Sequence, residues 1–253
     1  MRDSNVSTAV MNAGSFQYRI IGDDLQMLEI RLGPGEEIIG EAGAMMYMEP
    51  GIEFESKMGK RPGGGGGGML GGLMNAGARM LAGESIFVTH FQNVANQGQI
   101  VAFSSEAPGK IVSIDLGGLG GTVLAQRDAF LCGSSDTGIT VAFQRKLGAG
   151  FFGGEGFILQ KVQGNGHIFM SAGGTIVERE LNGERLRVDS GCIVAFQEGI
   201  NYDIQRAGNL KSMLAGGEGL FLATLEGRGK VWLQSMPIGR LAHIIHSKMP
   251  SSQ

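Results

Sequence analysis

The chain has little of what metal and redox sites are made from. Its two cysteines, Cys132 and Cys192, are too few for a disulfide framework or a thiolate cluster. Both sit in apolar stretches, where an inert buried thiol is the expectation. The four histidines are scattered as His90, His167, His243 and His246. The last two, read as strand residues, would point to opposite faces, and no cupin-like set of clustered histidines with a carboxylate is present. No metal and no cofactor are therefore expected. There is no basic block: 21 Lys and Arg are interspersed with 24 Asp and Glu for a net charge of −3, so composition carries no strong nucleic-acid signal. No apolar run reaches the ~18 residues of a membrane span. Residues Met1–Thr8 open no secretory signal, and a cytoplasmic protein is expected.

What the chain has is glycine, 45 of 253 residues, and a segment written three times. Gly35-Glu36-Glu37-Ile38-Ile39-Gly40-Glu41-Ala42-Gly43-Ala44-Met45-Met46 is matched by Gly121–Cys132 and by Gly183–Phe196. In each, a glycine precedes a small residue by eight positions: Gly43, Ala129 and Gly191. Apolar residues then run to Gly51-Ile52, Gly138-Ile139 and Gly199-Ile200. A second motif keeps the same order: Gly83-Glu84-Ser85, Gly154-Glu155-Gly156 and Gly217-Glu218-Gly219. Gly121 and Glu155 are 34 residues apart, and Gly183 and Glu218 are 35 apart. Gly35 and Glu84 are 49 apart, so the first copy carries an insertion. A repeat at this period implies stacked units sharing a core. The expected architecture is all-β: one domain over 1–253, with units at about 15–110, 111–176 and 177–245, a glycine-rich insertion at 59–81 and a tail at 246–253.

Strand signals dominate the units. Gln26–Leu32 alternates, with Leu28, Ile30 and Leu32 on one face and Glu29 and Arg31 on the other. His167–Met170 and Lys230–Gln234 are short and bounded by glycine. Gly164-Asn165-Gly166 and Gly227-Arg228-Gly229 read as hairpin-type turns, with Gln97-Gly98 in the comparable place of the first unit. No long helix is expected. The insertion contains six consecutive glycines, Gly63–Gly68, then Leu70, Leu73, Met74, Gly77, Ala78 and Leu81 at helical spacing. It reads as a loop or short helix against the body or a neighbouring subunit, or as a flap contacting a protein or membrane-surface partner. Leu70, Leu73, Met74 and Leu81 are the candidate interface.

These motifs, in this order from about residue 15 to residue 240, resemble the altered-inheritance-of-mitochondria protein 24 family, a former domain of unknown function. The resemblance implies a fold similar to the trp RNA-binding attenuation protein, related to double-stranded β-helix folds, with three subdomains about a pseudo-threefold axis. It carries over no catalytic residue. Mitochondrial members are linked to inner-membrane organisation, but this chain shows no transit peptide.

The strongest polar constellation is Glu84, Glu155 and Glu218, at one place in three units. They read either as a ring of carboxylates binding a cation or basic partner, or as acceptors for backbone N–H groups in their own glycine turns. Gly148-Ala149-Gly150 and the glycine run lack the Lys-Ser/Thr of a phosphate loop. Ser134-Ser135-Asp136 has no histidine at a recognisable spacing. The expectation is a non-enzymatic binding or scaffold protein that acts as a homo-oligomer. The alternative is a small-ligand or RNA-binding module, by fold-level analogy alone.

Overall fold

The computed structural model describes residues 9–14, 16–58, 87–105, 107–145, 157–206 and 221–249. The first stretch of chain holds β1 (Met11–Ala13), β2 (Phe16–Ile21), β3 (Met27–Leu32), β4 (Glu37–Gly40), β5 (Met45–Met48), β6 (Ile52–Met58), β7 (Phe87–Asn93) and β8 (Gln99–Ser104). There follow β9 (Gly109–Asp115), β10 (Thr122–Gln126), β11 (Phe130–Ser134), β12 (Gly138–Arg145), β13 (Phe157–Gln163) and β14 (His167–Gly173). Two 14-residue strands, β15 (Ile176–Asp189) and β18 (Phe221–Gln234), flank β16 (Ile193–Gln197) and β17 (Asn201–Arg206). A helix, α1 (Ile238–Lys248), follows.

The strands form three antiparallel sheets. Sheet A runs β1-β2-β3-β8-β5, and sheet B runs β6-β7-β4-β11-β14-β9. Sheet C runs β12-β13-β10-β16-β18-β15, with β17 also on β18. Consecutive segments therefore do not stay in one sheet. The chain passes from A to B between β3 and β4, and from B to C between β9 and β10.

Glycines mark these crossings. Gly35, Gly121 and Gly183, picked out by the sequence repeat, have φ of 77°, 85° and 110°, a region that suits glycine and strains other residues. Each is followed by a short strand segment, a 3-10 turn and another strand. The turns are Ala42–Ala44, Arg127–Ala129 and Ser190–Cys192. In the second copy the turn begins one residue earlier relative to the glycine than in the other two, because the loop before β10 closes one residue sooner. Each turn feeds a strand with the same irregularity, between Met45 and Tyr47, Phe130 and Cys132, and Ile193 and Ala195. One extra residue bulges there and bends the strand.

The hairpin expectation at three places is corrected. Gln97-Gly98 links β7 in sheet B to β8 in sheet A, and Gly164–Gly166 links β13 in sheet C to β14 in sheet B. Neither joins paired neighbours. Gly227-Arg228-Gly229 is not a turn: β18 runs through it, with φ of 142° at Gly227 and 141° at Gly229. Glycine here supplies a change of direction, and the ladder partners on either side decide whether the chain reverses. A second correction concerns His243 and His246, which lie on α1 and share one helical face. Pro237 at the N-cap, and Leu241, Ile244 and Ile245 at helical spacing, favour that helix over a strand.

Apolar side chains fill three layers. Between sheets A and B lie Leu28, Ile30, Val101 and Phe103 against Ile38, Phe91 and Phe169. Tyr18 packs edge-on to Phe169, with ring centroids 4.7 Å apart. Between B and C lie Ile39, Ile168 and Met170 against Val123, Val162 and Trp232. Ile38 and Ile39 thus serve different layers, as adjacent residues of a strand buried on both faces must. The third layer gathers Phe157, Leu159, Phe196 and Val231 with Val188, Ile204, Ala223 and Leu225. Val231 and Leu225 belong to opposite halves of β18, so that strand and its partner β15 curl back over sheet C.

Candidate functional site

Every residue singled out from the sequence as a site lies outside the described residues. This holds for Glu84, Glu155 and Glu218, and for Leu70, Leu73, Met74 and Leu81. The paired strand ends around them are described: β6 meets β7 at Met58 and Phe87, β12 meets β13 at Arg145 and Phe157, and β17 meets β18 at Arg206 and Phe221.

Within the described residues the polar groups form small cross-strand clusters. The most elaborate crosses sheet A. Arg19, Glu29, Ala102 and Tyr47 are successive register partners on β2, β3, β8 and β5. Because Ala102 is small, the Tyr47 hydroxyl reaches over it and donates to Glu29, which also accepts from Arg19 Nε. Burial acts to raise the Glu29 pKa, but the hydrogen bonds from Arg19 and Tyr47 outweigh it and hold the carboxyl below its ordinary value. The Tyr47 phenol is pushed up to about 12, by burial first and by its bond to Glu29 second. Sequence alternation places Glu29 on the solvent side, yet only 7% of it is exposed. The ion pair explains that burial.

Three further carboxylates are engaged by neighbouring donors. Glu37 Oε1 lies 2.5 Å from the buried His90 Nδ1. Glu178 accepts from Lys230 Nζ at 2.6 Å and Trp232 Nε1 at 2.9 Å, bracing β15 on β18. Asp189 accepts from the Gly191 amide and from Arg240, which ties α1 to the third 3-10 turn. Cys132 is fully buried, and burial pushes its thiol pKa well up. Cys192 is raised as well, by burial and then by Asp189, against the opposing effect of Arg240. Raised thiols are poor nucleophiles. Ser134 Oγ donates to the His167 carbonyl rather than to a ring nitrogen. Among the described residues, no group of three or more His, Cys, Asp or Glu is placed to hold a metal ion.

The surface offers a different feature. On β5, Met46 is 55% exposed and Tyr47 is 38% exposed, at the end of sheet A. Sequence reasoning missed this edge. Met45-Met46-Tyr47-Met48 reads as a buried strand in either case, and only the sheet order shows that it stands at a margin.

Comparison with known proteins agrees with this architecture. The chain is 27% identical over 229 residues to an uncharacterized protein of Streptococcus pyogenes serotype M6, covering 89% of this chain and 88% of that one. The X-ray crystal structure of protein SPYM3_0169 from Streptococcus pyogenes superposes with a TM-score of 0.72 at 22% identity, covering 92% of this chain and 100% of that chain. That likeness establishes a shared fold. No helix among the described residues is long and apolar enough to cross a membrane. The family model described as mitochondrial biogenesis AIM24 matches residues 18–236, nearly the whole chain, and the protein belongs to that family.

Proposed function

We propose that this protein is a non-enzymatic scaffold that works as a homo-oligomer in the cytoplasm and is built from three copies of one β-unit. The observation that carries the reading is the apolar margin of sheet A. An unpaired strand presents a row of open backbone donors and acceptors, and proteins ordinarily blunt such edges with charge, proline or a cover. β5 carries no charge and no proline within its span, and among the described residues nothing covers its outer edge, so Met46 and Tyr47 are exposed. Such a margin is a template for pairing. The triplication is supported by the three positive-φ glycines, the three 3-10 turns and the three bulges in matching order. A role without covalent chemistry is supported by the carboxylates at Glu29, Glu37 and Glu178, each spent on a structural partner.

Light scattering and native mass spectrometry on the untagged protein at micromolar concentration test the reading. The expected mass is a multiple of the single chain. A monomer across that range would remove the oligomer. Turnover in a broad hydrolase screen, abolished by one point change, would remove the non-enzymatic assignment.

A further inference from the structure

The two internal junctions between repeats follow one rule. β4 of the first repeat pairs with β11 of the second, through Gly40↔Cys132, Ile39↔Gly133 and Ile38↔Ser134. β10 of the second repeat pairs with β16 of the third, through Ala125↔Ala195, Leu124↔Phe196 and Val123↔Gln197. Each repeat therefore lends its glycine-led strand to the strand that follows the 3-10 turn of the next repeat. Both halves of a third such junction are present, and neither is used. The glycine-led strand of the third repeat is the Gly183–Asp189 half of β15, which pairs only with β18 among the described residues. The post-turn strand of the first repeat is β5, which among the described residues pairs only with β8.

Burial sets these two strands apart from their counterparts. Phe130–Gly133 of β11 and Ile193–Phe196 of β16 are buried at every position. In β5 the pattern is half-buried, exposed, exposed, half-buried. In β4, Ile38–Gly40 are all buried, whereas of their counterparts on β15 Leu186 is half-buried, Arg187 is exposed and Val188 alone is buried. At the other margins, β9 and the first half of β15 correspond to β3, which the added strand β2 covers. β6, β12 and β17 are equivalent to one another and are all margins; β5 and the second half of β15 are margins whose counterparts are interior.

From this we infer that β5 of one copy pairs antiparallel with the Gly183–Asp189 half of β15 in a second copy. The inference rests on the homo-oligomer reading above and names its interface. The register follows from the internal junctions: Tyr47 opposite Val188, Met48 opposite Arg187, and Glu49 opposite Leu186. The joint adds β15-β18-β17 of the next chain to the five strands of sheet A, and its part from β3 to β17 repeats the six-strand order of sheet B. The interface is heterologous, since each copy offers one margin and receives the other, and such contacts build a closed ring or a filament. The occupant is a second copy because the missing strand type is one that this chain supplies and leaves open.

The test uses two variants that each add one cysteine, Met48→Cys and Arg187→Cys, to a Cys192→Ala background whose remaining Cys132 is fully buried, with a short bismaleimide cross-linker. Directly opposed residues of an antiparallel pair place their Cβ atoms about 5 Å apart, within the linker's reach. Neither variant alone cross-links into dimers, and an equimolar mixture does. The double variant in one chain yields a ladder of covalent oligomers. Circular dichroism and light scattering confirm that each variant folds and assembles like the parent. If one does not, Glu49→Cys with Leu186→Cys is the next opposed pair. A cross-linked monomer from the double variant would mean that the chain closes on itself, and the inference falls. An assembled protein without mixed cross-links would leave the oligomer standing and overturn this interface. A monomeric parent would overturn both.

Discussion

The chain changes direction in two different ways, and the contrast shows what a glycine does in this fold. Between β9 and β10 the backbone leaves its ladder altogether. Residues Leu116–Gly121 form a loop stitched by Gly121 N–H to the Leu116 carbonyl at 2.7 Å, by Leu116 N–H to the Gly166 carbonyl at 3.1 Å and by Gly164 N–H to the Gly121 carbonyl at 3.0 Å. At β18 the backbone never leaves. It stays paired with β15 from Asp189↔Leu222 to Ile176↔Gln234, and absorbs the change of direction in Gly227, Gly229 and the irregularity between Asn182 and Arg185. A loop crossing keeps its strain in a few residues that hydrogen-bond one another. A strand crossing distributes it along a ladder whose glycines have neighbours close by.

The largest expected effect comes from challenging the strand crossing. A Cβ at Gly229 would lie 2.9 Å from Gln197 Oε1 and 3.2 Å from its Cβ, at a φ of 141° that a β-branched residue resists. Gly229→Val should lower stability by about 3 kcal/mol in urea unfolding. In the loop crossing, Gly120 has φ 84° and nothing within 4 Å of an added Cβ. Gly120→Ala should cost about 1 kcal/mol, the conformational penalty alone. Equal losses at the two positions would show that the ladder does not sharpen the constraint.

Gln197 links the two kinds of crossing. Its Nε2 donates to the Leu119 carbonyl in the loop at 2.9 Å, and its Oε1 accepts from Lys230 N–H just past the bend at 3.2 Å. Gln197→Ala leaves both partners short of a bond and should cost about 2 kcal/mol. A loss under a quarter of that would separate the crossings energetically. The smallest effect is a pH dependence at the sheet A margin. The Tyr47 phenol is held neutral, up to about 12, while an unfolded tyrosine titrates near 10. Its contribution is complete below pH ~10 and is lost as pH rises through about 12. Tyr47→Phe should flatten that alkaline fall, and an unchanged slope in urea midpoints between pH 9 and 11.5 would discount the network.

Much of this fold was legible in the chain. The spacing that picked out Gly35, Gly121 and Gly183 located three backbone positions that require positive φ, because the residue type itself reports the conformation. Alternation along Met27–Leu32 placed Leu28, Ile30 and Leu32 in the core. Pairing was not legible. Gly164–Gly166 carries the composition of a hairpin turn, but composition says only that the chain bends; which strand receives β14 depends on β11, more than 30 residues away. The Glu29 cluster was hidden for a similar reason, since it needs Arg19, Ala102 and Tyr47 from three other strands. The carboxylates that the repeat did single out, Glu84, Glu155 and Glu218, lie between described strands, and their roles rest on the sequence alone.

The pairing of β4 with β11 and of β10 with β16 has a consequence for how the chain comes into being. β4 emerges from the ribosome roughly 90 residues before β11, the strand that covers its second edge, and β10 waits about 70 residues for β16. β4 and β10 each wait for a strand made far downstream, so a nascent chain cut anywhere before β16 holds an unsealed ladder. Contacts between distant parts of a chain close slowly, and unpaired strands are exposed to misassociation meanwhile. The second edge of β4 is therefore sealed only when β11 arrives in mid-chain, and that of β10 only when β16 arrives, so the folding of each waits on residues far downstream of it.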